Sequence, residues 1–196
     1  MPRIFKPLAL LLSIAAAFGA DKDRAAFHPP PLAALEHRQT NAQLTIGADP
    51  YVAPEKVKTA FGKLDPYQYG ILPVLVVIQN DSDKTIRLDK LKAEYVGPNR
   101  DRVDATPAKD VRFLRGPNRP SVVPGPIGKI SSKKNPLDAW EIEGRALAAE
   151  MLPAGQSASG FLYFQTGLQR GATAYLSGLT EAATGKELLY FEIPLY

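Results

Sequence analysis

A continuous apolar stretch lies at residues 71–78, where the sequence is ILPVLVVI. It ends in a polar cluster, Asn80 to Lys84, and a short alternating segment, TIRL, follows it. A run this rich in valine and isoleucine favours a buried β-strand over a helix. Asn, Asp and Ser are typical turn residues, because their side chains bond to nearby backbone groups. The pattern therefore predicts a core strand, a tight turn and a partner strand paired as a hairpin.

Alternation of apolar and polar positions predicts further strands elsewhere in the chain. A chain with about six or seven short strands at this spacing is typical of a β-sandwich of the immunoglobulin-like class. The predicted additional strands are residues 43–48, 88–96, 159–164, 172–179 and 187–195. In the last of them, Leu189, Phe191 and Ile193 are expected to face the core.

Two or three short helices are predicted in the connections between strands. Pro54 suits a first helical position and Gly62 a helix end, so a helix of about two turns is expected over 54–61. Two further helices are expected over residues 106–113 and from Asn135 through Trp140 to about residue 148.

The first residues have the composition of a secretory signal. Arg3 and Lys6 precede an apolar segment, residues 8–18, and small residues follow it. We expect a signal peptide over 1–19, cleaved between residues 17 and 20, and a mature protein that is periplasmic or extracellular. An uncleaved, retained N-terminal segment is the alternative. The apolar segment is shorter than the roughly 20 residues that a membrane span needs.

Residues 20–41 are predicted to be a polar, proline-containing arm, and residues 42–196 one β-domain. The chain has no cysteine, and its two histidines, His28 and His37, both lie in this arm. Thiolate nucleophiles are thereby excluded, and a serine–histidine–aspartate triad or a histidine-ligated metal is not expected within the domain. We predict no cofactor and no bound metal.

The domain is similar to immunoglobulin-like domains of exported bacterial proteins of unknown function. The similarity covers residues 42–196 and rests on the order of a core strand, an N-D-S-D-K turn and a later L-P-A-G-Q turn before an aromatic strand. Pro153, Gly155, Gly160, Phe161 and Phe164 carry the second half of that pattern. The resemblance implies a sandwich and no particular activity. Antibody-type domains differ, because this chain lacks their cysteine pair.

A long segment rich in proline and glycine, residues 115–136, is predicted to be a loop. No acidic residue occurs over residues 111–137, whereas six basic ones do. Such a segment is suited to an anionic partner: an acidic envelope protein, an anionic glycan or a lipid headgroup. Nucleic acid is not expected, because aromatic stacking residues are sparse there. The candidate binding residues are Arg112, Arg115, Arg119, Lys129, Lys133 and Lys134.

Three functional classes follow from these patterns. The first is a non-catalytic binding or scaffolding domain of the cell envelope. The second is an extracytoplasmic hydrolase that uses carboxylates, with Asp49, Glu55 and Asp65 around the first helix, or Glu141 with Glu143, as candidates. The third is a structural subunit of an envelope assembly, for which an unpaired strand edge would be the sign.

Overall fold

The computed structural model describes residues 27–114 and 135–196, and within them the protein is mainly β. The prediction of a mainly β fold is confirmed. The described strands are β1 Arg38–Asn41, β2 Leu44–Pro50, β3 Leu72–Asn80, β4 Ile86–Arg87, β5 Lys92–Val96, β6 Arg102–Thr106, β7 Met151–Leu152, β8 Ser157–Phe164, β9 Thr173–Ser177, β10 Thr180–Glu181 and β11 Phe191–Pro194.

Eight of these strands form one antiparallel sheet in the order β1-β2-β3-β8-β6-β5-β9-β11. The sheet curls so far that its two outer strands, β1 and β11, contact each other. At this contact the Asn41 side-chain Nδ2 donates to the Tyr190 carbonyl at 2.9 Å. The sheet is thus nearly closed, like a barrel. The remaining strands form a small second sheet in the order β10-β4-β7.

Strand β3 is the centre of the fold and is buried on both faces. Its residues Leu72, Val74, Val76 and Ile78 face the interior of the curled sheet. Leu75 and Val77 face a second core, which is covered by the helices and the N-terminal arm. Burial of both faces explains why the sequence is continuously apolar here and does not alternate.

The predicted hairpin after β3 is wrong. Strand β3 pairs with β2 and β8, whereas β4 pairs with β7 and β10. The polar cluster therefore carries the chain from the large sheet to the small one. Its first residue, Asn80, is fully buried, and its Nδ2 donates to the carbonyls of Lys84, Leu152 and Pro153 at 2.7, 3.0 and 3.1 Å.

The end of the polar cluster, just before β4, is tied to β10 by an ion pair. Lys84 Nζ lies 2.7 Å from Glu181 Oε1, and Glu181 also accepts from Thr184. The hydrogen bond from Lys84 is the main cause that lowers the pKa of Glu181.

The helix predicted over residues 54–61 is confirmed as α1 Pro54–Phe61, which ends at Gly62. The two other helices are shorter than predicted: α2 is Ala108–Val111 and α3 is Trp140–Gly144. The Trp140 ring lies over Gly144, where a β-carbon would come within 2.7 Å of it. Among the residues that the structure describes, no helix is long and apolar enough to cross a membrane.

The part of the predicted arm that the structure describes is packed against the domain. Leu35 is buried at 4 % exposure, and its side chain lies where a β-carbon on Gly47 of β2 would be. Residues Arg38–Asn41 form β1, so the sheet begins before residue 42, where we expected the domain to start. At the other end, Leu189 is 72 % exposed and does not face the core as predicted, whereas Phe191 and Ile193 do.

Candidate functional site

Of the six candidate basic residues, the structure describes Arg112. Arg115, Arg119, Lys129, Lys133 and Lys134 lie outside the described residues, as does the predicted signal peptide. Arg112 follows α2, and its guanidinium lies 3.1 Å from a carboxylate oxygen of Asp138 and 3.8 Å from one of Glu143. Its charge is therefore matched by acids that follow the basic segment in the sequence.

The residues on either side of the basic segment, 111–113 and 135–140, contact one another, and we call them the stem. Asn135 Nδ2 donates to the Arg112 carbonyl at 2.7 Å, and the Leu137 amide donates back to Asn135 Oδ1 at 3.1 Å. Val111 and Leu137 are buried in the second core at 0 % and 1 % exposure. Both ends of the segment are thus fixed to the same part of the domain.

Exposed aromatic side chains lie on this stem. Phe113 is 68 % and Trp140 39 % exposed, although both are large apolar residues. Arg112 lies 5.1 Å from the centre of the Phe113 ring and Arg145 lies 5.3 Å from that of Trp140. Arg145 also contacts the Phe27 ring. Burial of the Arg145 guanidinium lowers the pKa of Arg145.

A second feature is a cleft of about 400 Å³ at the edge of the large sheet. It is lined by His37, Glu36, Asp49, Lys56, Leu195 and Tyr196, among others. The expectation that both histidines lie apart from the folded domain is wrong for His37. The Ala48 amide donates to the His37 carbonyl at 3.2 Å, which extends the β1–β2 pairing and holds this residue in the cleft beside acidic side chains.

Of the carboxylates proposed around the first helix, Asp49 lines this cleft. Lys56 Nζ donates to both of its carboxylate oxygens, at 2.8 and 2.9 Å. Glu55 is exposed on α1 and does not line the cleft. Asp65 instead accepts from the Tyr67 amide at the start of a 3₁₀ turn.

Burial is the main cause that raises the pKa of Tyr51, next to Asp49, to about 12, and the charge of Asp49 adds to it. The Tyr51 ring packs edge-on against Phe161 in the second core. This phenol is therefore part of the packing beneath the cleft and stays protonated at neutral pH.

No local sequence pattern points to the cleft, because the residues of its walls are distant in the chain. Glu36 and His37 meet Leu195 and Tyr196 only through closure of the sheet. Over residues 27–114 and 135–196, the structure contains no group of three or more His, Cys, Asp or Glu side chains that could hold a metal ion.

No protein family model matches the chain, and no curated protein matches its sequence. Among solved structures, the chain is similar to a functionally unknown protein from Listeria monocytogenes EGD-e, at 12 % identity and a TM-score of 0.34. The match covers 81 % of this chain and 82 % of that one.

Proposed function

We propose that the protein is an exported, non-catalytic binding or scaffolding domain of the cell envelope, which contacts an anionic partner through its basic segment. The observation that carries this proposal is the stem: the flanks of a segment with several basic and no acidic residues are anchored to one rigid core. A loop whose ends are held together in this way is a common functional element.

The buried polar side chains hold the fold together, which supports a non-catalytic role. Asn80, Ser82 and Glu181 are the buried polar residues of the described part of the chain, and each bonds to a neighbouring turn or strand. They stabilise the connection between the two sheets. We further propose that the fold is an immunoglobulin-like sandwich, in which the β2–β3 side of the curled sheet packs face to face with the β5–β9–β11 side; the single apolar cluster that both sides share supports this.

Neutralising the basic segment should abolish most of the binding to anionic surfaces and leave the fold intact. The variant carries glutamine at Arg115, Arg119, Lys133 and Lys134. Each basic group near an anionic membrane surface contributes about 1 kcal/mol, so four changes are expected to weaken binding by at least about a hundredfold. Co-sedimentation with vesicles of phosphatidylcholine, with and without phosphatidylglycerol, and binding to immobilised acidic polysaccharide measure the effect and separate the two partners.

A matched control removes the same charge elsewhere. Lys58, Lys63, Lys90 and Lys92 are exposed, and replacing them with glutamine lowers the net charge equally. This control should retain most of the binding, and both variants should melt within a few degrees of the wild type. Equal binding by the two variants would show that only net charge matters, and would contradict the proposal that the basic segment is the binding site.

The second candidate is a carboxylate-dependent hydrolase, which the position of His37, Glu36 and Asp49 around one cleft favours. If it is correct, chromogenic glycosides or esters are hydrolysed by the wild type, and Glu36→Gln or Asp49→Asn reduces the rate by at least about a hundredfold. Binding without any turnover, or a rate unchanged in both variants, would contradict it.

A further inference from the structure

The apolar side chains of the stem divide between an inward and an outward group. Val111 and Leu137 are buried in the second core, together with Ile142 of α3. Phe113 and Trp140 are not part of that core, and both rings are exposed. Large aromatic side chains on a surface often mark a site of interaction.

The two exposed rings lie at opposite ends of the basic segment. Phe113 comes two residues before Arg115, and Trp140 comes six residues after Lys134. The stem holds these two ends together, because Asn135 bonds to the chain next to Phe113 and because α2 contacts α3. A surface that meets the basic segment therefore also lies close to the rings.

The acidic side chains beside the rings would repel an anionic surface if their charge were unmatched. Asp138 and Glu143 share the Arg112 guanidinium, at 3.1 and 3.8 Å. Glu141 and Arg145 attract each other electrostatically. The charge next to the rings is thus largely balanced, and the basic segment supplies the attraction to anions.

Positive charge beside exposed aromatic rings matches the chemistry of an anionic lipid bilayer. A bilayer offers charged headgroups and an apolar phase directly beneath them, whereas an acidic glycan offers the charge alone. Tryptophan prefers the boundary between the two, because its ring is apolar and its N–H is polar. The Phe113 side chain has no polar atom that could bond to a sugar or a carboxylate.

We propose that the partner of the basic segment is an anionic lipid bilayer, and that the rings of Phe113 and Trp140 enter the boundary between its headgroups and acyl chains. The basic segment supplies an attraction that salt screens, and the rings supply a contact that depends on apolar burial. This proposal rests on the proposed function, because two rings bury too little apolar surface to hold the protein on a membrane alone.

Trp140 is the one tryptophan of the chain, so intrinsic fluorescence reports on the stem. With vesicles of phosphatidylcholine and phosphatidylglycerol in equal parts, its emission should shift to shorter wavelength and be quenched by brominated acyl chains. Vesicles of phosphatidylcholine alone and an acidic polysaccharide should leave the emission unchanged. Emission that stays unshifted while the protein co-sediments with the anionic vesicles would overturn the proposal.

A pair of serine variants separates the rings from exposed apolar side chains in general. Phe113→Ser should lower the partition into anionic vesicles about fivefold, because it removes a side chain that the bilayer would bury. Leu189→Ser removes a similarly exposed side chain outside the stem, at 72 % against 68 % exposure, and should bind as the wild type does. Both variants keep the same N-terminal residues, so any difference comes from the substituted side chain.

Binding to acidic polysaccharide and to polyglutamate distinguishes this proposal from the proposed function. Both should be unchanged in Phe113→Ser, because neither probe has an apolar phase. Anion binding that needs the basic segment but is equal in Phe113→Ser and the wild type on every probe would overturn the bilayer contact and leave the proposed function intact. A loss in Phe113→Ser on polysaccharide or polyglutamate as large as on vesicles would also overturn it, whereas a wild type that binds no anion would overturn both.

Discussion

Replacement of Gly160 by alanine should lower the free energy of unfolding by about 3 kcal/mol. A β-carbon on this β8 residue would lie 2.4 Å from both the Cα and the amide nitrogen of Leu147, far inside van der Waals contact. Residues 145–147, which cross over β8 at this point, cannot easily move away. The Phe161 amide donates to the Arg145 carbonyl at 2.8 Å, and the Leu147 amide donates to the Phe161 carbonyl at 3.1 Å. The clash is therefore between two backbones that hydrogen bonds hold together.

Gly167→Ala is the matched control. Its β-carbon would have one neighbour within 4 Å, the Tyr67 hydroxyl at 3.7 Å, which is an ordinary contact. This variant should unfold at nearly the wild-type urea concentration, whereas Gly160→Ala should unfold at a clearly lower one with a similar slope. Equal midpoints for the two variants would show that residues 145–147 do not pack on β8 as described.

Asn80→Ala should be the most destabilising single change of a polar side chain, at about 4 kcal/mol. The Asn80 amide is fully buried and donates to three carbonyls, while its oxygen accepts from the Ser82 amide at 3.1 Å and the Ser82 hydroxyl at 2.6 Å. Alanine would remove all five of these hydrogen bonds at a buried position. Among the partners, the Lys84 carbonyl and the Ser82 hydroxyl keep a bond to each other, at 3.3 Å. The loss should appear as a lower urea midpoint.

The neighbouring residue serves as a control for that change. Gln79 is half-buried, and among the described residues its side-chain amide bonds only to Asp81, at 3.2 Å. Gln79→Ala should cost no more than about 0.5 kcal/mol. Asn80→Asp, which keeps the shape but removes the donors, should be nearly as damaging as alanine at neutral pH. A small effect of both Asn80 changes would mean that this side chain does not hold the two turns together.

Much of the fold could be predicted where local pattern and burial agree. Strands β3, β8 and β9 and helix α1 were predictable because alternation, apolar runs, a proline start and a glycine end are properties of adjacent residues. The pairing of the strands was not. Asparagine is a common residue of surface turns, so the sequence predicts that Asn80 is exposed. Only its burial against residues 152–153 shows that the chain passes from one sheet to the other at that point.

The candidate sites show the same limit. The charge of the basic segment is visible in the sequence, but the pairing of Arg112 with Asp138 depends on tertiary structure. Likewise, β1 and β11 are joined by hydrogen bonds between residues about 150 positions apart. Gln39 and Asn41 look like ordinary polar strand residues until the strand that they contact is known. Long-range contacts between sheet edges carry no local signature.

The decisive test of anion binding by the basic segment is the salt dependence of binding to phosphatidylglycerol vesicles or acidic polysaccharide. Affinity should fall steeply as salt is raised. The slope should be much shallower in the variant neutralised at Arg115, Arg119, Lys133 and Lys134, and the lysine control should keep the wild-type slope. A wild-type affinity that is indifferent to salt, or a slope that the neutralised variant keeps in full, would contradict anion binding by this segment.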